Sequence, residues 1–178
     1  GAIAGLAVTL PLWLQFDAGT SQMQFVERTD WIPRFDIHYH LGVDGISMLL
    51  VLLNSLMTLI VVWSAWEVIQ VRVAQYMAAF LIQSGLINGA FSALDGILFY
   101  SFFEAMLIPM YLIIGVWGGP NRVYAAIKFF LYTLLGSLLM LAAFIYLYNQ
   151  TNGSFAILDF QKVPLALTPQ ILIFLAMF

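Results

Sequence analysis

Four apolar runs, 46–66, 76–94, 96–117 and 123–148, follow one another with only short polar breaks. Each has about 20 residues or more, enough to cross a hydrocarbon layer roughly 30 Å thick as a helix rising 1.5 Å per residue. A membrane barrel would show ten-residue segments of alternating polarity instead. Composition agrees: 63% of the 178 residues are hydrophobic and 8% are charged, against about 25% charged in a soluble domain. Mean hydropathy is +0.97. The expected fold is therefore all-α, a polytopic membrane helix bundle. Two shorter apolar stretches, 1–15 and 169–178, bring it to about six spans. The first and last read as truncated, as if cut from a longer protein, with 1–178 forming one transmembrane unit and 16–45 its extramembrane segment.

Within 96–117 one ionisable side chain stands alone, Glu104. It lies eight residues from Gly96, roughly 12 Å into the layer. A carboxyl at that depth costs on the order of 3 kcal/mol, so an intramembrane acid points to function. It is also compatible with a protonated acid that ties two helices together. Tyr100 and Ser101 lie one turn before Glu104 and Tyr111 two turns after it, within about 60° of its direction at 100° per residue. Pro109 lacks a backbone donor, which predicts a kink and a freed carbonyl beside the carboxyl.

Other spans show polar faces as well. Ser47, Asn54 and Thr58 align in the second, and Ser84, Asn88, Ser92 and Asp95 in the third. Hydroxyls and amides of this kind hold transmembrane helices together, while Gly85 and Gly89 let backbones approach. In the fifth span Tyr124, Lys128 and Tyr132 stack at i, i+4 and i+8. Lys128 is a candidate relay or coupling group. Measured from the turn at 118–120 it sits about 7 Å deep against about 20 Å for Glu104, too far for a direct ion pair. Snorkelling to the interface is its simplest resting position.

The long segment 16–45 holds both histidines. On a short strand over 37–41, His38 and His40 would point the same way, but a zinc site needs further ligands, so a surface strand is expected and no metal. Asp44 reads as a helix N-cap before Ile46. The chain has no cysteine, which removes disulfides and thiolate-held iron–sulfur clusters. Short loops around Arg72 and Arg122 carry little acid, whereas Arg28, Arg34 and Lys162 share their side with seven acids. The Lys/Arg bias places the Arg72 and Arg122 loops in the cytoplasm and the His38/His40 loop outside, in a multi-pass membrane protein.

Trp31-Ile32-Pro33-Arg34-Phe35, Leu41-Gly42-Val43-Asp44-Gly45-Ile46-Ser47, Phe103-Glu104-Ala105-Met106-Leu107-Ile108-Pro109-Met110-Tyr111 and Lys128-Phe129-Phe130-Leu131-Tyr132-Thr133 resemble, in order and spacing, the chain M (subunit 4) family of bacterial complex I. These are antiporter-like, inverted-repeat membrane subunits of the proton-translocating NADH:quinone oxidoreductase. The resemblance implies that Glu104 is the family's fifth-helix glutamate, essential for pumping, with a lysine partner on a later helix. Lys128 matches a lysine near the start of the sixth helix. It further implies a subunit of an enzyme, a translocase, with no redox centre of its own. NADH, FMN, iron–sulfur clusters and quinone would belong to partner subunits. Expected partners are other membrane subunits of complex I, the lipid bilayer and protons, with no nucleic acid.

Two other functions stay open on the sequence. One is a subunit of a multisubunit sodium/proton antiporter or membrane hydrogenase, which shares the architecture. The other is a membrane scaffold with no ion path. A quinone site is disfavoured because neither histidine falls in a span.

Overall fold

The computed structural model describes residues 1–178. In chain order it contains helix α1 (Ala2–Leu14), strands β1 (Gln24–Ile32) and β2 (Ile37–Val43), and helices α2 (Gly45–Val68), α3 (Val73–Ser92), α4 (Gly96–Ala105), α5 (Leu107–Trp117), α6 (Arg122–Gln150), α7 (Ile157–Phe160) and α8 (Leu167–Met177). α1 packs on α2, α2 on α3, α3 on α4 and α5, α5 on α6, and α6 on α8. The result is an all-α polytopic bundle whose connections gather at two ends.

One end holds the α2–α3 and α5–α6 loops with Arg72 and Arg122. The other holds the β-hairpin, the 93–95 turn and the 151–166 segment. Here the structure adds to the sequence expectation of one short strand over 37–41. A nine-residue strand pairs antiparallel with β2, matching Arg28 to His40 and Asp30 to His38. Asp36 closes the hairpin in the left-handed region at φ 54°. The hairpin is sewn to the bundle by backbone bonds, the Leu94 amide donating to the His40 carbonyl at 2.9 Å. The buried carboxyl of Asp95 completes the joint. It caps α4 by accepting from the Ile97 and Leu98 amides at 2.9 and 3.1 Å, and its other oxygen accepts from the His38 amide at 3.3 Å. Asp44 caps α2 in the same way, accepting from the Ile46 and Ser47 amides.

Three stretches are long and apolar enough to cross a membrane: Gly45–Val68, Gly96–Trp117 and Arg122–Gln150. α3 has the length, at 20 residues, but Gln75, Gln83, Ser84 and Asn88 lower its hydropathy. It is the central helix, covered by α2, α4 and α5, so its polar groups meet protein. Asn54 of α2 donates to the Ser84 carbonyl at 3.0 Å, to the Ser84 hydroxyl at 3.2 Å and to Asn88 Oδ1 at 2.7 Å. Against α4 the approach is closer still, since a Cβ on Gly89 would come within 2.7 Å of the Phe102 ring. Outward faces are apolar, with Trp63 78% and Leu135 63% exposed. In water such surfaces would aggregate; a bilayer or neighbouring membrane chains accept them.

The stretch 96–117 is one span by length but two helices, separated at Met106. Pro109 explains the break: it offers no amide to the Ala105 carbonyl, and its ring crowds that group. The loop expected after the fifth span also contains α7, one turn whose Phe160 stacks on Phe144 with ring centroids 5.9 Å apart.

Candidate functional site

Glu104 occupies the last turn of α4, one residue before the carbonyl that Pro109 strips of its partner. Its side chain does not stand out in lipid. Oε1 is buried and has no hydrogen-bond partner, a condition shared by one other side-chain atom, Oε1 of Gln83 on α3. An unpartnered buried oxygen costs about 1–3 kcal/mol, so such groups persist where water or a proton can satisfy them.

Tyr100, one turn earlier on the same face, has its hydroxyl within electrostatic reach of both the Glu104 carboxyl and the Ser137 hydroxyl of α6. Ser101 is also on this face but is occupied locally, its hydroxyl donating to the Ile97 carbonyl at 2.8 Å. Ser137 is 3% exposed and lines a groove of about 410 Å³ that also borders Phe103, Tyr132, Thr133 and the end of α8. The Ser137 hydroxyl donates to the Leu134 carbonyl at 2.9 Å, so carboxyl, phenol and serine gather as a polar set beside a mainly apolar groove.

The remaining sequence candidates lie elsewhere. Ser137 is nine residues from Lys128, which is about 180° around an α-helix at 100° per residue. With Ser137 facing α4, Lys128 must face outward, and it does: it is exposed, and its ammonium lies over the Tyr124 ring at 5.8 Å. It forms no ion pair, in keeping with the depth argument. Tyr132 is 81% exposed, reaching the polar set only along the groove. Tyr111 sits beyond the helix break and packs edge-on against Phe130, centroids 5.8 Å apart. The structure thus brings Tyr100 to Glu104 and leaves Lys128 and Tyr111 apart from it.

One residue beside Tyr100 escapes a reading by faces, Ser137. Ser137 lies opposite the Tyr124–Lys128–Tyr132 row, so following the more polar row pointed to the wrong side of α6.

Outside the membrane, His38 Nε2 lies 3.3 Å from Asp30 and 3.7 Å from Asp36, and the Arg28 guanidinium donates to the same ring at 3.1 Å. The imidazole is thus engaged with its own hairpin. Burial, then the charge of Arg28, hold His40 below the ordinary histidine value. Burial raises the Asp95 carboxyl above its ordinary value even as three backbone amides pull it down.

Residues 92–178 match the family described as NADH:quinone oxidoreductase/Mrp antiporter, transmembrane. The chain is 45% identical over 145 residues to NADH-quinone oxidoreductase subunit M of Rickettsia prowazekii, covering 82% of this chain and 30% of that one. It is 55% identical over 141 residues to subunit M of Rhodobacter capsulatus, covering 79% of this chain and 27% of that one. Among solved structures, a chain of respiratory complex I from Thermus thermophilus with bound NADH superposes with a TM-score of 0.85 at 29% identity. That match covers 98% of this chain and 36% of the other. The chain therefore spans about 30% of the length of the first curated relative it matches. Residues 92–178 belong to the NADH:quinone oxidoreductase/Mrp antiporter transmembrane family, and by sequence, superposition and polytopic helical architecture the chain is similar to its subunit M.

Proposed function

We propose that these residues form part of a proton-translocating membrane subunit of an NADH:quinone oxidoreductase, with Glu104 as the group that takes up and releases the proton. One observation carries the reading: a carboxyl oxygen in mid-bundle, buried and without a partner, where a helix breaks. A carboxyl used as cement would spend its oxygens on neighbouring donors. One that must accept a proton and lose it again is better served by an oxygen left free.

In this reading α2, α3, α4–α5 and α6 cross the membrane with the Arg72 and Arg122 loops on the cytoplasmic side. Protonated Glu104 is neutral and tolerated at its depth; the anion is costly unless a cation or water approaches. Quinone reduction in other subunits would change the charge near Glu104, and its proton affinity would follow. Tyr100 and Ser137 lead from the carboxyl to the groove along α6, which has room for water between hydroxyl-bearing side chains. Tyr132 and Thr133 lie along that path. Lys128, at the cytoplasmic interface, would bias the field at its mouth without pairing to Glu104. Flavin, iron–sulfur clusters and quinone belong to partner subunits in this reading, and other membrane subunits cover the apolar outer faces.

The test is Glu104→Gln in the assembly, carried in native membrane vesicles. The expected outcome is normal assembly and NADH oxidation-linked acidification reduced to background. Vesicles that acidify normally would remove Glu104 from the relay. Undiminished acidification combined with weakened assembly would favour a scaffold role. The shared antiporter architecture keeps a sodium/proton antiporter as the second reading, and vesicles driving proton exchange by a sodium gradient without NADH would support it.

A further inference from the structure

We infer that the end of the bundle bearing Arg72 and Arg122 is a binding site for the head group of an anionic phospholipid. A cavity of about 680 Å³ opens there between the α2–α3 loop and the α5–α6 turn, lined by both arginines with Gln70, Val68, Val71 and Trp117. The indole of Trp117 donates to the Val71 carbonyl at 2.8 Å, pinning the loop to the end of α5 and keeping the two walls of the cavity together.

Charge identifies the occupant. Neither guanidinium has a carboxylate within 4.0 Å; the one Lys or Arg that does is Lys162, on Asp159. Glu67 is the acid closest in sequence to Arg72, and it contributes only its backbone carbonyl, to Gln70. Two helices also start here. α3 begins after Arg72 and α6 at Arg122, and neither has a side-chain cap or an acidic residue in its first turn. Helix starts are already electropositive and ordinarily attract acids. The carbonyl ends of α2 and α5 line the same cavity and offset those dipoles, so the positive charge of this end is that of the two guanidiniums, neither paired with a carboxylate.

The other walls select a lipid over a soluble acid. Val68 and Val71 are 75% and 66% exposed. The two valines provide an apolar edge beside the arginines, with the Trp117 indole at the level where aromatic residues favour the interface. A phosphodiester can lie between the guanidiniums, each offering paired donors, while the glycerol and the first acyl carbons follow the valines. The site is independent of the Glu104 reading, since it lies at the opposite end of α5 from the helix break.

The experiment uses the assembly purified from native membranes, gently delipidated and then offered phosphatidylglycerol, phosphatidylcholine or inorganic phosphate, with native mass spectrometry and thermal stability as readouts. The wild type should retain phosphatidylglycerol in preference to phosphatidylcholine and gain no stability from inorganic phosphate. With each basic side chain at the surface adding to anionic-lipid affinity, the double change Arg72→Gln/Arg122→Gln should weaken this site about 30-fold, seen as one phosphatidylglycerol fewer per assembly. Equal retention of the two lipids by the wild type would overturn the proposal, and that comparison decides it even if the variant fails to assemble. Unchanged phosphatidylglycerol in an assembled variant would overturn it too. Stabilisation by phosphate equal to that by lipid would reassign the cavity to free anions. Displacement of lipid by an acidic segment of a neighbouring subunit would reassign it to protein.

Discussion

Two polar contacts lie inside this bundle, and their contrast is instructive. Between α2 and α3, Asn54 reaches Ser84 and Asn88 and leaves its amide nitrogen with three acceptors. Between α4 and α6, Glu104 keeps an oxygen buried and without a donor, with Tyr100 and Ser137 close by. Both place polar atoms among apolar helices at similar cost in principle. The first recovers that cost as static hydrogen bonds and becomes adhesive. The second stays unsatisfied, which is a poor way to hold helices and a good way to hold an exchangeable proton.

Exchanging the chemistry at the two contacts should therefore have opposite consequences. The largest effect is that of Glu104→Gln, which keeps shape and removes titration: proton pumping falls to background while thermal stability changes little. Tyr100→Phe comes next. It deletes the hydroxyl between the carboxyl and Ser137 without changing packing, and should slow pumping about tenfold, short of the 10²–10⁴ typical of a direct proton-transfer group because water can take its place. Measured pumping equal to wild type would cut Tyr100 out of the path. Asn54→Leu is the converse case. It leaves Asn88 Oδ1 and Ser84 without their donor and should cost about 1–2 kcal/mol, the upper range for interhelical hydrogen bonds in membranes, read as a lower unfolding temperature of the assembly. Pumping per assembled complex should be unchanged. A pumping defect in Asn54→Leu that matches Glu104→Gln would erase the distinction between the two contacts.

How far the sequence reveals this contrast depends on which physical rule governs each piece. Helix placement follows from length and all-round hydrophobicity, and Asp44 and Asp95 mark helix starts because a carboxylate before an apolar run meets orphan amides. Glu104 is legible as well, being a lone acid in hydrocarbon. The direction of a face is another matter. Periodicity shows that Tyr124, Lys128 and Tyr132 share a side of α6, but packing decides which side turns inward, and here the small residues Ala126 and Ser137 do. The more polar row faces out. The hairpin is only half legible for a similar reason. β2 alternates, whereas β1 is exposed along nearly its whole length and gives no buried face for a pattern to report.

The smallest expected effect sharpens the same comparison from outside the membrane. α4 hangs from the hairpin through Asp95 and the Leu94–His40 backbone bond. His40 is held below its ordinary value of 6.5, by burial first and Arg28 second, so the folded joint prefers neutral imidazole. A base depressed in this way contributes stability that is present above pH 6.5 and is lost as pH falls through the lower folded value. Asp95 works with the opposite sign. Its carboxyl is raised from 3.8 by burial, so its contribution is full below that value and is lost as pH rises through the raised one. On acidification the two contributions run in opposite directions, the histidine loosening the joint and Asp95 tightening it, which leaves a modest net change. Hydrogen exchange should show the Leu94 amide losing protection on acidification, after correction for the intrinsic rate, while amides around Asn54 hold theirs. His40→Leu should abolish the difference. Equal loss at both places would mean that the joint opens only with the whole bundle, and that α4 is not held separately at its hairpin end.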